Sequence, residues 1–127
     1  MASSRHVRVE IDGTLVADTV RPVLLFETAL PTRFYIPRED VRLDLFVPTD
    51  HHTGCPYKGT AEYWSWRGGA VVPPNIVWSY PDPLPAVGTI KNLLAFYDEA
   101  VDITVDGEAL ERPVTPFTRA LSERTPR

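Results

Sequence analysis

Val7-Arg8-Val9-Glu10-Ile11 alternates apolar and polar side chains, the period of a strand with one buried face. Asp12-Gly13 follows. Both central positions of a type I′ turn require positive φ, so the pair predicts a hairpin whose second strand runs from Thr14 to Val20. Val23-Leu24-Leu25-Phe26-Glu27-Thr28 lacks alternation and predicts a strand covered on both sides, with Glu27 its conspicuous acid. Phe34-Tyr35-Ile36 reads as a short strand stopped by Pro37, and Pro37 to Asp40 as one helical turn with proline first. Val41 to Val47 alternates again, and Pro48 to Gly59 reads as a loop. In the next strand, Thr60 to Arg67, Glu62, Trp64 and Trp66 share one face and Ala61, Tyr63 and Ser65 the other. Gly68-Gly69 turns this strand back into a return strand at Ala70-Val71-Val72, Pro73-Pro74 interrupts, and Asn75 to Tyr80 is a further strand carrying Trp78. A turn-rich linker from Pro81 to Pro85 follows. Between Ala86 and Ala100, Ile90, Leu93, Leu94 and Tyr97 fit helical spacing, while Leu93 to Tyr97 equally fits a buried strand. A short helix over residues 86–92 followed by a strand is the favoured reading. Val101 to Val105 alternates, Asp106-Gly107 is a second turn, and periodicity is lost after Glu108.

About eight short strands separated by turn signals predict a mainly β domain, a curled antiparallel sheet or a sandwich, with one short helix. One compact domain is expected over residues 7–110, between a flexible N-terminus at 1–6 and a flexible C-terminal tail at 111–127. Proline sharpens this picture. The chain holds 13 prolines in 127 residues, nine of them between Pro31 and Pro85. A ring that removes the N–H and clashes with the preceding turn excludes long helices there, and with them a helix bundle, a coiled coil or a βαβ repeat. The 17 acidic side chains against 13 basic ones argue against duplex nucleic acid as a partner, because phosphate contact needs clustered excess cation. No apolar run approaches the roughly 20 residues needed to cross a bilayer. Met1 to His6 lacks a signal-peptide pattern, and the single cysteine, Cys55, permits no intramolecular disulfide, so a cytoplasmic setting is expected.

The segment Cys55-Pro56-Tyr57-Lys58-Gly59-Thr60-Ala61-Glu62-Tyr63-Trp64 resembles a bacterial family, the domain of unknown function 427. Supporting stretches lie in order on both sides. They are Val16-Ala17-Asp18, Leu25-Phe26-Glu27-Thr28 and Phe34-Tyr35-Ile36-Pro37 with Asp40-Val41 upstream, and Trp78-Ser79-Tyr80-Pro81, Ala95-Phe96-Tyr97 and Val105-Asp106-Gly107-Glu108 downstream. The resemblance implies a β-tent-like fold, two antiparallel sheets pinned at one edge. Zinc-bearing relatives of that architecture use two Cys-x-x-Cys pairs, and this chain has one cysteine. A nucleotidyltransferase-like label attached to the family would require Gly-Ser followed by Asp-x-Asp to hold two magnesium ions. Asp102 and Asp106 are four apart, and Asp106 is explained by its turn.

Cys55 is the first candidate for chemistry. A thiol is nucleophilic as thiolate and needs a nearby cation or base, which Lys58, His51 and His52 offer from the same loop. The competing reading is a small buried apolar residue. Lys58 is one of two lysines against eleven arginines, which points to a compact donor or amine held in a loop framed by Pro56 and Gly59. Its competing reading is an exposed loop lysine. His51, His52 and Cys55 with Asp50 or Glu27 suggest a zinc set, but adjacent residues of an extended loop point apart, so neither metal nor cofactor is expected. Glu27, ending a buried strand, needs a partner, with Arg33 or Arg38 available for a catalytic carboxylate or a structural ion pair. Tyr35 and Tyr63 offer phenolic donors, and Trp64, Trp66 and Trp78 a wall for a flat or cationic ligand, although core packing explains such residues equally. The leading expectation is a small-molecule-processing enzyme in which Cys55 is nucleophile or thiol donor, Lys58 assists it and Glu27 moves protons. Arg33, Tyr35, Tyr63, Trp64, Trp66 and Trp78 would line its pocket. The alternative is a non-catalytic small-ligand-binding or interaction module using the same pocket; no oligomeric state is implied.

Overall fold

A computed structural model of the chain describes residues 5–27, 31–69, 71–115, 117 and 118. Its strands are β1 (Val7–Ile11), β2 (Thr14–Thr19), β3 (Val23–Leu25), β4 (Arg33–Tyr35), β5 (Phe46–Cys55), β6 (Gly59–Trp66), β7 (Val77–Ser79), β8 (Leu94–Phe96), β9 (Asp102–Val105) and β10 (Glu108–Ala109). Helical elements are 3-10 segments at Arg38–Asp40, Leu43–Leu45 and Pro85–Ile90, and among the described residues only Phe117 and Thr118 are α-helical. The chain is therefore mainly β, as expected, and no helix among the described residues is long and apolar enough to cross a membrane. Where a short helix over residues 86–92 and then a strand are expected, the chain makes 3-10 turns over Pro85–Ile90, broken at Val87, followed by β8, and Arg38–Asp40 matches the turn expected after Pro37.

The first sheet has the order β10-β9-β1-β2. Asp12 and Gly13 adopt φ of +50° and +77°, and Asp106 and Gly107 φ of +51° and +86°, the left-handed pairs that both dipeptides predict. A register shift between Val9 and Glu10 lets consecutive Val16 and Ala17 of β2 both face inward, where strict alternation would expose one. The second sheet is β5-β6-β7-β8, and β3-β4 form a two-stranded ribbon. Hydrogen bonding thus gives three antiparallel sheets in place of the two anticipated. The ribbon joins the second sheet where Ile36 N donates to Leu94 O at 2.8 Å and Leu94 N to Ile36 O at 2.9 Å.

The second sheet is apolar on both faces, and its period of two sorts the aromatic residues between them. On the inner face Phe46, Trp64, Trp66, Val77 and Phe96 pack toward Val7, Val9 and Ile103 of the first sheet. Tyr63, Trp78 and Ala95 are paired across β6, β7 and β8 on the outer face, where they join Ala61, Tyr80 and Tyr35 in a second cluster. Each wholly buried valine or isoleucine contributes roughly 1.5–3 kcal/mol.

Four expectations are corrected. Val41 to Val47 is not a strand: Val41 bridges Ala17 and Arg42 N donates to Val16 O at 2.8 Å, after which Leu43–Leu45 coil into a 3-10 turn. Pro48 to Gly59 is not a loop up to Cys55 but the body of β5. As an edge strand, β5 tolerates Pro48, and its ladder with β6 slips between Pro48 and His52. Val23 to Thr28 is a strand only as far as Leu25 and is partly exposed, with Phe26 at the surface, because the ribbon lacks a second covering layer; Thr28 lies outside the described residues. Finally, Val71 and Val72 form no return strand, although Val72 is buried in the main core; Ala70 lies outside the described residues.

Candidate functional site

The outer face of the second sheet does not end in a flat surface. The β5–β6 hairpin, the ribbon and the segment after β8 rise around it and enclose a recess of about 310 Å³. Alternation along β5 places Thr53 and Cys55 on the same side as Tyr63 of β6, and alternation through β7 adds Trp78 and then Tyr80. Tyr97, Arg33, Glu27 and Lys58 complete most of the lining.

Cys55 and Lys58 occupy the two ends of the hairpin turn, where Lys58 N donates to Cys55 O at 3.2 Å. Gly59 makes that turn possible, with φ of +114° and no Cβ, which would stand 3.2 Å from the Asp82 carbonyl oxygen. The Lys58 ammonium reaches over the Tyr80 ring, 5.7 Å from its centroid, and donates to Glu27 Oε1 at 2.5 Å. The lysine side chain is only 14% exposed and the glutamate 29%, so the pair is shielded from bulk water without being sealed. Cys55 is half-buried and is a free thiol. The same Glu27–Lys58 pair borders a second recess of about 520 Å³, whose walls are Leu25, Phe26, Tyr57 and Val87.

Arg33 forms the floor beside Trp78. Its guanidinium makes a two-pronged bond to Glu99, at 2.8 and 3.0 Å, and a longer one of 3.5 Å to Asp98. All three are buried. Burial works against the charge on Glu99, but bonds from Arg33 and Thr115 outweigh it and hold the carboxyl below its ordinary range. Asp98 lacks that compensation: burial, with the Glu99 charge adding to it against the pull of Arg33, pushes its carboxyl up to about 6. Above the guanidinium lie Trp78 and Tyr97, with ring centroids 5.5 and 5.6 Å from its carbon.

The tyrosines differ in what they can still do. Trp78 Nε1 donates to the Tyr35 hydroxyl at 3.1 Å, and the Tyr63 hydroxyl shares a 2.8 Å bond with Thr53 Oγ1. Tyr80 is only 5% exposed, yet its hydroxyl has no hydrogen-bond partner among the described residues. Burial, together with Tyr35, Cys55, Tyr63 and Glu27 nearby, raises its ionisation far above the usual phenol range, so it stays a neutral donor facing the recess. A donor that faces a recess without a protein partner is a group that a ligand oxygen can engage.

Of the residues singled out in the sequence, Cys55, Lys58, Glu27, Arg33, Tyr63 and Trp78 meet in this recess, and Tyr35 lies directly behind Trp78. Trp64 and Trp66 do not. They sit on the opposite face of β6, Trp64 under the Arg38 guanidinium at 5.2 Å and Trp66 against Phe46 at 5.5 Å. Glu27 is paired with neither arginine proposed for it: Arg33 is taken by Glu99, and Arg38 lies 3.5 Å from Glu62. His51 packs on Tyr63, with ring centroids 4.6 Å apart, while His52 bonds the Asp50 carbonyl. Among the described residues no group of three or more His, Cys, Asp or Glu side chains is placed to hold a metal ion. Asp102 pairs with Arg112, and Asp106 accepts the His6 N–H in its turn.

Glu99, Asp98, Tyr97 and Phe117 were not legible as site residues. Tyr80 had a signal in its spacing of two from Trp78, but the acidic pair after Tyr97 has no local signature, because its partner is 66 residues away. Part of the segment expected as a flexible tail is described and makes contacts here. Thr115 Oγ1 donates to Glu99 at 2.5 Å, and the Phe117 ring packs on Tyr97.

Residues 1–107 match a family model described as "Domain of unknown function (DUF427)". No curated protein matches the chain. Every residue lining the recess except Phe117 falls inside the matched span.

Proposed function

This chain belongs to the DUF427 family, and from that premise we propose that it is a small-molecule-processing enzyme whose nucleophile is Cys55. The observation that carries the proposal is the shielded Lys58–Glu27 contact of 2.5 Å on the wall that Cys55 shares. A cation and a carboxylate held beside a half-buried thiol can move protons both to and from a reacting carbonyl. Glu27 takes the thiol proton as sulfur bonds to the carbonyl carbon. The carbon–oxygen π pair moves to oxygen, which receives a proton from Lys58. The proton then on Glu27 returns to the Lys58 amine, restoring the ion pair beside an S–C–OH adduct. The Tyr80 hydroxyl supplies a further donor for the developing oxyanion. Trp78, Tyr63 and Tyr97 offer flat apolar walls, which suit a small carbonyl compound with a planar or apolar body. A β-tent-like arrangement, a bacterial source and a cytoplasmic setting accompany the proposal, with a small molecule as partner and neither duplex nucleic acid nor a membrane.

The test is the alkylation rate of Cys55 by iodoacetamide at pH 7. It is expected to exceed that of an unstructured thiol peptide by about tenfold and to fall toward the peptide rate in Lys58→Met. A rate equal to the peptide's, or one that ignores the loss of Lys58, would overturn the proposal. The unpartnered Tyr80 hydroxyl also favours a second reading, a binding module without catalysis; an unreactive Cys55 with saturable small-ligand binding selects it.

A further inference from the structure

The family-matched span ends at residue 107, yet the recess has a wall that comes from beyond it. Phe117 places its ring 5.9 Å from Tyr97 and 5.9 Å from the Arg33 guanidinium carbon, extending the aromatic row that begins with Trp78 and Tyr97 at 4.5 Å. This contact is anchored at several points. Arg112 pairs with Asp102 at 3.1 Å, and Thr115 Oγ1 donates to Glu99 at 2.5 Å while accepting from Phe117 N at 3.1 Å. Thr118 closes the local turn, its N–H donating to Thr115 O at 3.0 Å and its hydroxyl accepting from Thr115 N at 2.8 Å.

The relay has a physical direction. Arg33 occupies both Glu99 oxygens, and Thr115 adds a third bond to the same carboxylate, so the hydroxyl is held by a buried, fixed charge. The Thr115 oxygen in turn holds the backbone of Phe117, so the ring is positioned from the floor of the recess outward. We infer that Phe117 is a specificity-determining wall of this recess, setting the size of the molecule that reaches Cys55, and that Thr115 positions it through Glu99 and Arg33. The inference rests on the recess being the ligand site, but not on Cys55 being catalytic. The ligand class it selects is a small, planar or compact apolar body; a fused-ring compound is excluded until the wall is removed.

Two maleimides with one warhead and different bulk test this: N-methylmaleimide and N-naphthylmaleimide, each timed against Cys55 of the full chain. The quantity read is the ratio of the naphthyl rate to the methyl rate. Phe117→Ala is expected to raise that ratio about tenfold, the scale on which a single pocket wall discriminates. Thr115→Val should raise it in the same direction and Thr115→Ser should restore it, which a merely structural threonine would not do. Phe117→Trp should lower it, a change that loosening of the fold cannot mimic and that stands even if the alanine variant folds poorly. An identical ratio in wild type, Phe117→Ala and Phe117→Trp overturns the inference, as does a Cys55 that neither reagent labels once the wall is removed. A wild-type thiol no faster than a free peptide thiol would sink the proposed activity alone, because the ratio is independent of activation.

Discussion

Among the described residues, Asp98 is the one buried carboxyl that the fold holds at a cost. It is 7% exposed and lies 3.5 Å from Arg33, but Glu99 occupies the better positions on the guanidinium. Desolvation therefore dominates, and its carboxyl rises from 3.8 to about 6. The sign follows from linkage. A carboxyl with a higher pKa folded than unfolded binds more protons in the native state, so stability falls as pH rises through the interval between the two values. Below about 4 both states are protonated and the penalty vanishes; above about 6 it is complete, at ~3 kcal/mol. Asp98→Asn removes the titration and leaves the Arg33–Glu99 bond in place. Urea denaturation of both proteins between pH 3.5 and 7.5, at fixed ionic strength, isolates the effect, since every other titrating group is common to both and its contribution cancels to first order. The variant should gain on the wild type by ~3 kcal/mol across this range, most steeply between about pH 4 and 6. A stability difference that is flat with pH, or that shrinks as pH rises, refutes the assignment of Asp98 as a desolvated carboxyl.

Two further substitutions probe the frame of the site. Gly59→Ala forces an L side chain into φ of +114° with its Cβ 3.2 Å from the Asp82 carbonyl oxygen, so thermal unfolding should show a loss of about 1–3 kcal/mol; an unchanged midpoint would mean the turn relaxes freely. Ser79→Ala removes a fully buried hydroxyl that has no partner among the described residues, and chemical denaturation should find it neutral or stabilised by up to ~1 kcal/mol. Destabilisation by more than that amount would contradict an unsatisfied Oγ.

Local chemistry accounts for what could be read directly. Asp12-Gly13 and Asp106-Gly107 form their turns because the φ preference resides in the dipeptide itself. The faces of β6 were legible for the same reason, since alternation is a property of any extended chain, and it correctly separated Tyr63 from Trp64 and Trp66. Which of those faces lines a recess was not legible, because both are apolar and the choice depends on where the first sheet packs. Pro48 misled the reading of β5 because a missing N–H excludes a central strand but not an edge, and edge status is set by the order of the sheet.

The amino-acid sequence by itself determined a mainly β chain, its two tight turns, the family to which it belongs, and Cys55, Lys58 and Glu27 as the residues to watch. Tertiary structure alone decided that Glu27 pairs with Lys58, that Arg33 is pinned by Glu99, and that Phe117 reaches back over Tyr97. Turns and strand faces follow from interactions a few residues apart, whereas these three contacts join groups 31, 66 and 20 positions apart whose meeting depends on packed sheets.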